Sequence, residues 1–164
     1  MYSFEFAYSR EARERFRSGE LARGWAARFP QLFSDADLQV ALNQPNYHFY
    51  EWLSAVRLFS DHGYLSIAES YHFKRHTAAY ARFAALTSPE IVELLSWGGD
   101  ASRTQGPDLL TFRPDDSEWF FVEVKGPRDS LRPKQIELFT RLEDLSGRPV
   151  ALAHCFPADR PGAA

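Results

Sequence analysis

The sequence predicts an α/β domain, a small mixed sheet flanked by helices, with a helical extension at its N-terminus. Three observations predict it. Residues 107–125 hold two apolar runs separated by Pro114-Asp115-Asp116-Ser117, the pattern of two strands and a turn. A stretch of helical period and one more short apolar run follow, so the C-terminal half reads β-β-α-β. The residues before them read as a succession of amphipathic helices.

Length and composition narrow the class. A chain of 164 residues fits one domain with a substantial core. Aromatic residues make up 15%, with 14 Phe and 7 Tyr, which argues against disorder. The formal net charge is −3, so any surface that binds nucleic acid must be locally basic. Cys155 is the one cysteine. No internal disulfide is possible, and a reducing compartment fits. His154 is adjacent in sequence, but neighbours on a strand face opposite ways, so Cys155 reads as core packing. The N-terminus lacks the basic-then-apolar order of a signal peptide, and no apolar run approaches the ~18 residues of a membrane span. A soluble, cytoplasmic, nucleoid-associated protein is expected.

Taken in order, residues 1–45 are expected to form short helices, a cap or a surface for a protein partner. Tyr8 to Arg17 is charged and amphipathic. Phe29-Pro30 marks a turn. Ser34, followed by Asp35 and Asp37, is a helix N-cap with an acidic first turn. A strong helix is predicted from Asn46 to Asp61, with Phe49, Trp52, Leu53, Val56 and Phe59 on its apolar side and Gly63 closing it. Glu51 lies in its first turn. Ser66 to Leu86 reads as another helix, in which Lys74, Arg75 and Arg82 alternate with Tyr71, Phe73 and Tyr80, a mixture that suits phosphate contacts. His72 and His76 stand at i,i+4, a zinc-compatible spacing. No third ligand accompanies them in a metal-like motif, so zinc is not expected. Ser88-Pro89-Glu90 starts a further helix.

Strands are predicted over Pro107 to Arg113 and Glu118 to Lys125, a helix from about Arg132 to Ser146, and a last strand over Val150 to Phe156. That strand should pair with the Glu123 strand through a right-handed crossover. Residues 157–164 read as a flexible tail.

The chemistry lies in residues 106–135. Glu123 and Lys125 interrupt the apolar run WFFVEV, two residues apart and therefore on one face of a strand. Charged side chains are rarely buried unless paired. Asp108 precedes them by fifteen positions (123 − 108) at the start of the partner strand. Two carboxylates offer hard oxygen ligands for Mg2+ or Mn2+, and the Val124 carbonyl offers another. Such a metal polarises a phosphate and acidifies an attacking water. Lys125 would orient that water or stabilise developing charge. The competing reading of Glu123 and Lys125 is a structural ion pair.

The full pattern is more specific than an ion pair. Gly106-Pro107-Asp108, Glu123-Val124-Lys125-Gly126-Pro127 and Asp129-Ser130-Leu131-Arg132-Pro133-Lys134-Gln135 resemble the VRR-NUC family of the PD-(D/E)xK nuclease superfamily, over about residues 103–156. The resemblance implies a restriction-endonuclease-like core, here over 46–156, and a metal-dependent DNA nuclease. It gives Asp108, Glu123 and Lys125 the metal and catalytic roles and puts Gln135 near the site. Residues 50–71 look like a segment of the Fanconi-associated nuclease. By that likeness Glu69 supplies a further metal ligand, with Glu51 as the alternative. Lys74, Arg75, Arg103, Arg128, Arg132 and Lys134 are the expected nucleic-acid contacts, made to the backbone and so selective for structure rather than sequence. Flap, nicked or branched DNA in repair or recombination is the expected substrate. A homodimer resembling Holliday-junction resolvases and a non-catalytic nucleic-acid-binding domain are the alternatives.

Overall fold

A computed structural model describes residues 3–73, 76–95 and 106–159, with Glu69 and Ser70 described by their backbone only. The elements run β1 (Ser3–Tyr8), α1 (Arg10–Arg17), α2 (Glu20–Arg28), α3 (Asp35–Asn43), α4 (Phe49–His62), β2 (Leu65–Ala68), a 3-10 turn (Glu69–His72), α5 (Thr77–Leu86), α6 (Pro89–Leu95), β3 (Leu109–Phe112), β4 (Trp119–Lys125), α7 (Pro133–Ser146) and β5 (Ala151–Pro157). The strands form one mixed five-stranded sheet in the order β1-β5-β4-β3-β2, flanked by helices. This is a restriction-endonuclease-like α/β core.

The C-terminal half follows the predicted β-β-α-β order. β3 and β4 pair antiparallel across a turn in which Asp116 takes a left-handed backbone, φ 62°. β5 returns parallel to β4 after α7. Upstream, Ser34 caps α3 as expected, and Asp37 completes a capping box with it. Gly63 closes α4 at φ 74°, with its N–H donating to the Phe59 carbonyl at 2.9 Å.

Two expectations differ from the structure. Residues 3–8 form a strand, not a helix. Phe4, Phe6 and Tyr8 alternate with Ser3, Glu5 and Ala7, a period of two; Phe6 and Tyr8 are buried while Ser3 and Glu5 are exposed. The chain then switches to helical period after the N-cap Ser9, whose hydroxyl accepts from the Ala12 N–H at 3.0 Å. The second difference is the helix expected from Ser66 to Leu86. Leu65–Ala68 is instead a strand paired with β3, the helix proper starts at Thr77, and His72 and His76 do not share a helix. Tertiary pairing decides this stretch: Ser66 Oγ and Thr111 Oγ1 lie 3.0 Å apart in the buried β2–β3 ladder.

The sheet separates two apolar layers. On one face α1 to α4 pack on Phe6, Leu109, Phe120, Val122, Val124, Ala153 and Cys155. On the other, α5, α6 and α7 pack on Leu110, Phe121 and Val150. Residues 3–45 thus supply core as well as surface: Phe16, Ala22, Phe29, Leu32, Phe33 and Ala41 are all buried. Each buried large side chain contributes roughly 1.5–3 kcal/mol relative to exposure. Among the described residues no helix is long and apolar enough to cross a membrane.

Candidate active site

β4 places the central residues. Its side chains alternate, so Phe120, Val122 and Val124 turn to the α4 face, while Phe121 belongs to the α7 face. Glu123 and Lys125 share the Phe121 side. Both are buried, at 4% and 8% exposure, and the burial is tolerated because they are paired. Lys125 Nζ donates to Glu123 Oε1 at 2.8 Å. Gln135, in the first turn of α7, donates from Nε2 to the same Oε1 at 2.8 Å and accepts from Lys125 Nζ at 3.4 Å. Its Oε1 also accepts the Arg132 N–H at 3.1 Å, so one side chain caps α7 and ties that helix to the two charged groups. Glu123 Oε2 makes no hydrogen bond with the described protein.

Asp108 stands where β3 begins. Its Oδ2 accepts the Val124 N–H at 2.7 Å, replacing the ladder partner β3 does not extend far enough to provide. A strand residue's N–H and C=O project to the same edge, so the Val124 carbonyl is turned toward the Asp108 side. Leu109 pairs with Val122, and one further step of that register sets Asp108 beside Glu123. On the other side Ala68 pairs with Leu109, and Glu69 follows Ala68 as the first residue of the 3-10 turn. Among the described residues no three His, Cys, Asp or Glu side chains form a metal-binding group, and the Glu69 side chain is not among them.

Glu51 occupies the first turn of α4, on the opposite face of the sheet, and its charge acts on Cys155. Burial chiefly, with the Glu51 charge adding to it, pushes the Cys155 thiol up to about 11. Cys155 is a protonated core residue beside Ser54, 3.5 Å away.

Of the expected nucleic-acid contacts, Arg128 on the loop after β4, Arg132 at the α7 N-cap and Lys134 in its first turn are exposed around the site. Lys74, Arg75 and Arg103 lie outside the described residues. His72 ends the 3-10 turn fully enclosed. Among the described residues neither ring nitrogen has a hydrogen-bond partner, and burial, helped by the charge of His76, pushes its pKa down to about 4.

Two supporting residues have no catalytic signature in the sequence. Tyr71 donates its hydroxyl to the Pro107 carbonyl at 2.7 Å, fixing the peptide immediately before Asp108. Asp129 Oδ2 accepts the Gly126 N–H at 2.9 Å, closing the turn immediately after Lys125. Both act on backbone groups; the residues around Tyr71 give no warning of its position, whereas Asp129 opens the Asp129 to Gln135 run of the family resemblance. The Asp129 role does have a trace, since it stands three residues after Gly126, the spacing of a side-chain-capped turn.

The VRR-NUC domain model matches residues 67–157. That range contains the end of β2, all of β3 to β5 and every residue of the Asp108–Glu123–Lys125–Gln135 group. It begins after most of residues 50–71, the stretch likened to the Fanconi-associated nuclease. No curated protein and no solved structure matches the chain.

Proposed function

The chain belongs to the VRR-NUC family, and on that premise we propose that it is a Mg2+- or Mn2+-dependent DNA nuclease that hydrolyses phosphodiester bonds in flap, nicked or branched DNA during repair or recombination. One observation carries the reading. A carboxylate, an ammonium and an amide are gathered in a buried cluster beside Asp108, and Glu123 keeps one oxygen without a partner among the described residues. Buried ion pairs contribute little to stability compared with apolar packing. A chain that retains one at a strand end, with an uncommitted carboxylate oxygen, is suited to binding charge.

The donor set fits a hard divalent cation: carboxylate oxygens of Asp108 and Glu123, the Val124 carbonyl, and the Glu69 carboxylate that the family resemblance adds. When bound, the cation supplies charge neutralisation at the phosphate and a more acidic water. The remaining tasks fall to the chain. Lys125 Nζ, held by Glu123 and Gln135, presents a fixed positive charge to a phosphate oxygen or the attacking water. Gln135 keeps both partners in place. Arg128, Arg132 and Lys134, with Lys74, Arg75 and Arg103, hold the DNA backbone. The N-terminus of α7 adds its own positive end. Contacts of this type position a strand without reading bases, hence selection by DNA structure.

The test compares wild type with Asp108→Asn, which keeps an oxygen for the Val124 N–H. Labelled flap, nicked and four-way DNA are incubated with Mg2+ or Mn2+. Cleavage is expected to fall by at least about 10²-fold with the unfolding midpoint retained. Equal cleavage by the variant would sink the proposal. Symmetric cutting of the four-way substrate calls for a homodimer, which a mass measurement on the same sample checks.

A further inference from the structure

We propose that Arg13, on α1 and outside the family match, is a phosphate-backbone contact for the nucleic-acid strand entering the Lys125 site. The inference rests on the nuclease reading and extends it to the N-terminal β1–α1 unit. β1, β5 and β4 run parallel, so their C-terminal ends, Tyr8, Pro157 and Lys125, share one edge. Ligands of open α/β sheets bind at that edge. Ser9 starts α1 directly after β1, which brings Arg13 to the same end of the molecule.

A chain of contacts links Arg13 to the turn after Lys125. Its guanidinium carbon lies 5.1 Å from the centroid of the Tyr50 ring. The Tyr50 hydroxyl lies 3.2 Å from that of Tyr8. Along the ring edge, Tyr50 Cε2 comes so close to Gly126 that a Cβ there would sit 2.7 Å from it. Arg13 is thus stacked on a ring wedged against the residue after Lys125.

The charge of Arg13 is uncommitted. On the same helix Arg10 pairs with Asp159 at 3.3 Å and Arg15 with Glu20 at 3.0 Å. Among the described residues no carboxylate pairs with Arg13. Tyr50 provides no countercharge, because burial first and the Tyr8 hydroxyl second raise its pKa and keep it neutral. A guanidinium stacked on an aromatic face keeps its in-plane N–H groups available, and those match a phosphate. Arg128, Arg132 and Lys134 continue the positive charge from the other side of the Gly126 turn.

The experiment measures binding and cutting separately. Anisotropy of a labelled nicked duplex, in EDTA and over a range of salt, reads binding by wild type, Arg13→Ala, Arg13→Lys and Arg15→Ala. Arg13→Ala is expected to weaken binding about 5- to 10-fold and to lower the salt slope by about one. Arg13→Lys should keep the slope, a result that a purely structural stacking role does not give. Arg15→Ala, an equal change in net charge, should leave both quantities as in wild type. Unchanged binding by Arg13→Ala, or an equal loss in Arg15→Ala, overturns the proposal. Cleavage with Mn2+ distinguishes the two readings. If wild type cuts and Arg13→Ala has the same KM, the contact alone fails. If wild type binds through Arg13 but does not cut, the nuclease reading fails and the contact stands.

Discussion

Glu123 and Lys125 are the residues whose energetics most directly oppose their function. Removing one member of a buried ion pair strands the other, at a cost of about 3–5 kcal/mol, whereas replacing both with apolar groups of similar size is often neutral. Glu123→Ala is therefore expected to destabilise the fold strongly in urea unfolding. The double variant Glu123→Leu/Lys125→Met should recover most of that loss yet cut no DNA. A double variant as unstable as Glu123→Ala would mean that the pair is retained for stability. His72 gives a pH test. Its folded pKa, about 4, lies below the ordinary histidine value, so the unfolded chain binds more protons between about pH 4 and 6.5. The contribution of His72 to stability is complete above that window and is lost as pH falls through it. His72→Phe should flatten the wild-type decline in unfolding midpoint between pH 7 and 4. The charged pair was legible in the sequence because it interrupts an apolar run. His72 was not, because a lone histidine between aromatics carries no sign of its burial.

At the scale of elements, the hairpin and α7 form one device. β3 and β4 set the carboxylates side by side, and the Gly126 turn redirects the chain so that α7 brings Gln135 back over Glu123. Gly126 is required by close approach rather than by an unusual φ. A Cβ there would sit 2.7 Å from the Tyr50 ring and 3.2 Å from Asp129 Oδ2. Gly126→Ala should cost about 1–3 kcal/mol through overpacking. Its cleavage should fall further than a stability loss alone explains, which assays well below the unfolding midpoint would reveal. These elements were readable because their period and punctuation agree: alternation, a Pro-Asp turn, then a helix closed by Gly147. β2 was not. Four residues are too few to establish a period, and the alanine-rich residues of α5 extended the helical pattern backwards over them. Only the ladder to β3 shows that Leu65–Ala68 is a strand.

For the whole molecule, the question is whether the residues before the family match are an appendage or part of the fold. Read as short helices, residues 1–45 would be a removable cap, and deleting them would spare cutting of naked DNA. The structure instead inserts β1 as an edge strand of the five-stranded sheet, pairing Ser3–Tyr8 with Leu152–Pro157. Phe6 and Tyr8 enter the cluster that also holds Phe16, Phe49 and Trp52. Deleting residues 1–9 would leave an unpaired edge on β5 and expose that aromatic layer, a recognised route to aggregation. Phe6, at 2% exposure, is the more delicate probe: Phe6→Ala should cost about 3–5 kcal/mol by leaving a cavity, a large part of the stability of a domain this size. The nine-residue deletion is accordingly expected to lose cooperative unfolding in circular dichroism and to bind a hydrophobic dye. A deletion that melts at the wild-type midpoint and still cuts flap DNA would instead make β1 dispensable and confine the active fold to the matched residues. The expected result has a functional corollary. If the sheet requires β1, the orientation of α1 is fixed by β1, and Arg13 is held at the Lys125 edge by the fold itself rather than by a mobile arm.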